Sequence, residues 1–337
     1  MSTPMRSFAR LVAASALLLA AFVFATEDIS QESTVWKGHE AGITAITLSP
    51  DGTRLAACGL DGTIRVWDAT SGRVFKVMRA RDAELYAIAF ARGGDLLVTT
   101  GNTGALTVFD GRSGKTVREI KGLDGWSVDL AVSPDGRQVA AWGMDGRIFV
   151  WDLEREGPPR ALVGESKKWG MALAWSTDGR LLAAGRAAIS LWDVEKGSRT
   201  SELSGHKDFL RALAFSPNGR HLASTGLDKT VRVWDVAAGH ELYILKPEGF
   251  VHSSTAGLVT EPILVPLLAI EFSPDGKTLA TAGADRLVRL WQAESGQFIK
   301  SFKGHTMSVT ALAFSPDGQT LYSAGLDKTI RVWRLEP

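Results

Sequence analysis

Three histidines in this chain, His39, His206 and His305, each follow a glycine. Histidine is the commonest general base, and a set of histidines is also the usual material of a metal site. The rest of the chain adds little to that chemistry. No nucleophile elbow, zinc helix motif or phosphate loop occurs. Gly-rich pieces such as Arg92-Gly93-Gly94 read as hairpin turns. Most acidic residues fall in turns, where aspartate bonds its own backbone. Cys58 is the one cysteine and lies in an apolar strand, so it reads as an inert buried thiol. A single cysteine also excludes an intramolecular disulfide and a cysteine-rich metal site.

The elements that must position the histidines repeat. Ala212-Leu213-Ala214-Phe215-Ser216-Pro217-Asn218-Gly219 returns as Ala311-Leu312-Ala313-Phe314-Ser315-Pro316-Asp317-Gly318. Gly226-Leu227-Asp228-Lys229-Thr230-Val231-Arg232-Val233-Trp234 returns as Gly325-Leu326-Asp327-Lys328-Thr329-Ile330-Arg331-Val332-Trp333. Alignment on the closing aromatic gives Trp67, Phe109, Trp151, Trp192, Trp234, Trp291 and Trp333, spaced by 42, 42, 41, 42, 57 and 42 residues. A fixed period in the forties is the mark of a repeat architecture. Within a unit the apolar period is two, as in Ile64-Arg65-Val66-Trp67, which predicts short strands. Ser-Pro-Asp-Gly recurs at 49–52, 133–136, 273–276 and 315–318 and supplies one hairpin turn. Asp61-Gly62 and Asp145-Gly146 mark a second. No helical period appears after residue 25.

These units closely resemble the WD40 repeat family over about residues 32–335. The carriers are Gly38-His39, Gly205-His206 and Gly304-His305, with Trp67-Asp68, Trp151-Asp152, Trp192-Asp193 and Trp234-Asp235. The resemblance implies an all-β, seven-bladed β-propeller of four-stranded blades around a channel. The last unit stops at Trp333 after a third strand, and 33–39 matches the close of a preceding unit at 298–305. The N-terminal strand is therefore expected to complete the last blade, which removes an open edge. In the family, the histidine contacts an aspartate, a Ser or Thr and the tryptophan. Carried over, one set is His206, Ser224, Asp228 and Trp234, and a second is His305, Ser323, Asp327 and Trp333. The set is partial at His39, Asp61 and Trp67, where Ala57 replaces the hydroxyl. Standing in separate blades, these histidines cannot converge on one metal ion, and a structural role is expected for them. Blades 2, 3, 4 and 6 carry Arg81, Leu123, Ser166 and Ile263 in the histidine's place, and blade 4 is one residue short before Trp192. His240 follows a closing tryptophan by a few residues and reads as a turn residue.

The first 25 residues differ from the rest. Arg6 and Arg10 are their only charges, Leu11 to Ala25 are apolar or small, and Val23-Phe24-Ala25 offers a cleavage site. This describes a secretory signal peptide over residues 1–25, with the propeller occupying 26–337. The alternative is an uncleaved N-terminal anchor, for which the run is short. The expected location is periplasmic or secreted, from a bacterial cytoplasm. Composition is that of a soluble globular protein: 45% hydrophobic and 22% charged residues, which excludes disorder and a multi-span membrane protein. Loss of residues 1–25 removes two of the 38 basic residues and none of the 37 acidic ones, turning a net charge of +1 into −1. Such a balance argues against a general nucleic-acid binder.

The resemblance puts the Ser-Pro-Asp-Gly turns on the bottom face. The lead-in loops and second hairpins lie on the top. Three residues past the histidine position stand Gly42, Glu84, Trp126, Trp169, Phe209, Pro266 and Ser308, so blades 3 to 5 offer three aromatics. Before the hairpin aspartate stand Leu60, Met144, Leu227, Ala284 and Leu326. Trp126, Trp169 and Phe209, with Met144 and Leu227, form the expected binding patch. Lys167, Lys168, Lys207 and Arg211 give it a basic rim suited to an acidic-apolar segment. The 57-residue spacing places an uncharged insertion near 248–266 beside it. The reading is a non-enzymatic, monomeric interaction scaffold for a protein or peptide partner, with no cofactor, no metal, no nucleic acid and no membrane span. The rivals are a propeller enzyme or small-ligand binder at the channel mouth, and a cytosolic scaffold.

Overall fold

A computed structural model describes residues 33–80, 84–123, 125–143, 146–162, 171–246 and 266–335. Residues 1–25, Met144, Trp169 and all of the 248–266 insertion except Pro266 lie outside them. The described strands form seven four-stranded sheets, each antiparallel and paired in chain order. They span 43–79, 85–120, 130–162, 172–203, 210–245, 267–303 and, for the last, 309–334. The last sheet takes its fourth strand from Thr34–Lys37, in register Thr34↔Val332 to Lys37↔Thr329. The seven repeats predict the number of blades, and the match of 33–39 to 298–305 predicts the closure. Trp36 from the closing strand is buried between blades 7 and 1, with ring centroids 6.3 Å from Trp67 and 5.6 Å from Tyr322.

The simple alternation read from the third strands has a more detailed cause. The two middle strands of a blade are covered on both faces by neighbouring blades, so nearly every position is buried, as in His221–Gly226 and Val231–Asp235. Arg232, at a polar position of the alternation, is itself buried. It satisfies its charge on Glu241 of the outer strand. Outer strands face solvent on one side and keep a true alternation, as in His240–Leu245. His240 begins this outer strand and is exposed, whereas the sequence placed it in the turn.

The Ser-Pro-Asp-Gly motif closes its turn by local hydrogen bonds. In blade 1 the Ser49 hydroxyl donates to Asp51 at 2.5 Å, the Thr53 amide donates to the same oxygen at 3.0 Å, and the Gly52 amide reaches the Ser49 carbonyl at 2.7 Å. Gly52 sits at φ +69°, which favours glycine. Blade 2 lacks the motif, and Arg92–Gly94 there forms a single 3-10 turn. At the second hairpin Lys229 and Lys328 adopt φ +68°, the place where blade 1 has Gly62. Inner strands are joined across blades along the channel wall. Thr44 Oγ1 donates to the Leu85 carbonyl at 2.8 Å, and Thr310 Oγ1 to the Ile43 carbonyl at 2.7 Å.

Candidate functional site

The histidine sets assemble inside their blades. In blade 5, His206 Nδ1 lies 2.9 Å from Asp228 and Nε2 lies 2.7 Å from Ser224 Oγ, which accepts the Trp234 indole N–H at 2.9 Å. Burial lowers the His206 pKa and Asp228 offsets part of that, so the ring is neutral near pH 7. One consistent proton arrangement follows. Trp234 donates to Ser224, Ser224 donates to Nε2, and the Nδ1–H donates to Asp228. Blade 7 repeats the geometry, with His305 at 2.9 Å from Asp327 and 2.8 Å from Ser323, and Trp333 donating to Ser323 at 2.9 Å. The order carboxylate, imidazole, hydroxyl is that of a hydrolytic triad. Ser224 and Ser323, however, are 0% exposed and already accept an indole N–H, so no substrate carbonyl reaches them. The arrangement satisfies buried polar groups and ties the lead-in loop to the second hairpin.

Blade 1 carries the partial set. His39 Nδ1 lies 3.0 Å from Asp61, but Nε2 has no hydrogen-bond partner among the described residues, because Ala57 stands where blade 5 has Ser224. Burial pushes the Asp61 carboxyl up. The Thr63 hydroxyl and the Glu40 and Thr63 amides outweigh that and hold it at about 2. Blade 6 carries Ile263 in the histidine's place in the sequence, and Trp291 donates to Thr281 Oγ1 at 2.9 Å, the hydroxyl that the register sets where blade 5 has Ser224. In blade 4 the register Leu182↔Trp192 puts Ala184 in the place of Ser224, and the Trp192 N–H has no acceptor among the described residues.

On the top face Trp126 is 54% exposed, the ring contact being Tyr86 of blade 2 at 6.2 Å. Phe209 is half-buried, with the Arg186 guanidinium 4.1 Å above its ring, a cation–π contact. Leu227 is half-buried and its amide donates to the Phe209 carbonyl at 2.7 Å, so these two share one corner. Arg211 is exposed on the inner strand of blade 5, where its charge reaches Asp129 in blade 3. It belongs to the channel wall more than to an outer rim. Trp169, Met144, Lys167 and Lys168 lie outside the described residues.

A family model described as "WD domain, G-beta repeat" matches residues 30–68, 114–152, 197–235, 265–292 and 296–334, more than half of the chain. The chain belongs to the WD40 family. Among its relatives are a "Periodic tryptophan protein 2 homolog" of Schizosaccharomyces pombe, 29% identical over 143 residues, and the "Nuclear distribution protein PAC1" of Arthroderma otae, 30% identical over 145. These matches take in 41% and 40% of this chain, and 15% and 31% of the relatives. A Periodic tryptophan protein 2 homolog of Dictyostelium discoideum aligns over 77% of this chain at 25% identity, and over 22% of its own length. The chain thus spans less than a third of the length of the curated relatives it matches.

Within this WD40 frame two channel residues went unnoticed in the sequence. Asp129 and Glu271 occupy inner-strand positions that other blades give mostly to alanine: Ala87, Ala172 and Ala311 in one row, Ala89, Ala174 and Ala313 in the other. Each carboxylate takes an amide from the next blade, Asp129 from Leu173 at 2.7 Å and Glu271 from Phe314 at 3.1 Å. Burial raises the Asp129 carboxyl to about 7 and that of Glu271 to about 8. The signal was present in the repeats as an acid breaking a column of alanines.

Proposed function

We propose that this WD40 propeller is a non-enzymatic scaffold that presents the top of blades 3 to 5 to an acidic-apolar segment of a protein partner. The supporting observation is Trp126, an indole left more than half exposed at the lead-in to blade 3. An amphipathic ring held in that way is a preferred interface anchor. Phe209 under the Arg186 guanidinium adds a second ring with positive charge above it. The triad-like sets argue against turnover, since their hydroxyls are sealed. With residues 1–25 read as a signal, the chain works as a monomer outside the cytoplasm of a bacterium. N-terminal sequencing of the recovered protein tests this, and Thr26 is the expected first residue. Among the described residues no helix is long and apolar enough to cross a membrane. Partner capture by the full chain should be lost in Trp126→Ala while the melting temperature is unchanged, and capture unchanged in that folded variant would move the site elsewhere.

A further inference from the structure

The outer strands are the edges of the seven sheets, and among the described strands none pairs with their outward side. Such an edge is a template for another chain unless it is short, charged or covered. Most of the edges are blunted. Blade 3 keeps three residues there, Arg160–Leu162, and blade 7 four, Thr34–Lys37. Glu119 in blade 2 and Glu202 in blade 4 stand where blade 1 has Val77. Blade 5 has Glu241 near the start of its edge, paired with Arg232. Blade 6 has Ser301 in the place of Val77 and turns Phe298 edge-on to Trp291, ring centroids 5.3 Å apart.

The edge of blade 1, Val74–Arg79, is six residues long and carries no acid. Val74, Phe75 and Val77 are 47%, 51% and 46% exposed. Phe75 is the extra residue of a bulge, between the pairs Val74↔Trp67 and Lys76↔Val66, and from Lys76 to Arg79 the pairing is regular. That regular stretch keeps its outward side free for a further strand. Charge decides what can pair there. Lys76 and Arg79 are the charged residues of the strand, and Arg73 precedes it. The stem of Lys76 is held in place, since a Cβ added to Gly114 of blade 2 would meet its Cγ and Cδ at 3.1 Å. A second copy paired antiparallel through this edge would bring these cations against their own counterparts, and like charges across strands are destabilising. A segment with acids opposite Lys76 and Arg79 and an apolar residue opposite Val77 has the complementary charge, covers exposed apolar surface and takes up the free backbone groups.

We propose that the outer edge of blade 1 accepts an extended acidic-apolar segment of another protein as a fifth strand. The site is independent of Trp126, so it stands or falls apart from the docking surface on blades 3 to 5. The test titrates the full chain with the capped peptide Thr-Glu-Thr-Val-Glu-Val-Thr, read by calorimetry and by hydrogen exchange of the 76–79 amides. The peptide is expected to bind one-to-one, to slow exchange at those amides, and to bind at least ten times more tightly than its counterpart with Lys in place of Glu. Val77→Glu copies the edges of blades 2 and 4 and should weaken binding at least tenfold without lowering the melting temperature, whereas Trp126→Ala should leave it unchanged. Two further peptides, N-methylated on alternate residues in the two possible phases, keep the side chains and block one row of amides each, and one of them should lose at least tenfold. This comparison uses the wild-type chain and decides alone if Val77→Glu does not fold. Equal binding of the Glu and Lys peptides, parent affinity in both N-methylated forms, wild-type affinity in folded Val77→Glu, or no binding at millimolar concentration would overturn the proposal. So would slow exchange of the 76–79 amides in the free protein, which would mean that residues 26–32 of the same chain or a second copy already fill the edge.

Discussion

Blades 5 and 4 adjoin, pair four strands in the same order and close their third strand on the same Trp-Asp pair, yet their interiors are built differently. Blade 5 runs a chain of hydrogen bonds from Trp234 through Ser224 and His206 to Asp228. Blade 4 replaces the hydroxyl by Ala184 and the arginine by Ser190, and leaves the Trp192 indole N–H without an acceptor among the described residues. The strands of blade 4 still pair in full from Ala172 to Leu203. The backbone ladder and the apolar cluster around Leu173, Leu182 and Trp192 are therefore enough to make a blade. The network stabilises a blade that has it and is not what specifies the fold.

Breaking the network is the strongest way to test this contrast. His206→Ala leaves Asp228 and Ser224 without their partner, and an unmatched buried group costs about 1–3 kcal/mol. Denaturant unfolding should show that loss, whereas His240→Ala, on the exposed outer strand, should change stability by less than about 0.5 kcal/mol. Equal losses would mean the network contributes nothing specific.

The next effect concerns the other departure from the repeat, the acids of the channel wall. Glu271 titrates at about 8 in the fold against an ordinary value of 4.5. The folded state therefore keeps a proton that the unfolded state releases, so this stability is present below pH 4.5 and is lost as the pH rises through about 8. Glu271→Gln cannot ionise and should unfold less readily than the wild type at pH 9, by on the order of 1–2 kcal/mol after allowance for water in the channel. The two proteins should match near pH 4.5 in thermal melts. A parallel pH profile for both would place the carboxylate in free solvent.

The smallest effect sharpens the comparison by repair. Ala57→Ser places a hydroxyl where His39 Nε2 has no partner among the described residues, as Ser224 does for His206. One added buried hydrogen bond should stabilise by about 1 kcal/mol. Unchanged or lower stability would show that blade 1 has no room for the hydroxyl.

Much of this architecture was legible because it is repeated. Seven closing aromatics give seven blades, the match of 33–39 to 298–305 gives the closing strand, and Ser-Pro-Asp-Gly gives its turns. What escaped the sequence depends on a neighbouring blade. Which amide faces Asp129 or Glu271 is set by how two sheets meet, and no spacing within one unit contains that. The ring contact of Trp126 with Tyr86 crosses blades in the same way. The departure of blade 4 was half legible: a shortened hairpin is visible, expected to lack one residue and found to lack two, but the loss of the hydroxyl and the arginine at Ala184 and Ser190 shows only once their register against blade 5 is known. The positive φ of Lys229 and Lys328 was hidden because aspartate-lysine does not announce a turn as aspartate-glycine does.

The closing strand also fixes an order of assembly. Ser33 accepts a hydrogen bond from Arg331 at 2.7 Å, a contact between residues 298 apart in the chain. Joining ends that far apart costs about 5 kcal/mol in chain entropy for a flexible loop. Blades 1 to 6 each fold from contiguous sequence, so they can gather locally and early. The seam between 34–37 and 329–332 repays its entropy only after the intervening blades have shortened the loop by stacking. Until then blade 7 waits as three strands, and the first described strand waits for a partner that follows six whole blades along the chain. A second chain in the same state could lend its own 34–37 segment, so crowded refolding is where exchanged dimers would arise.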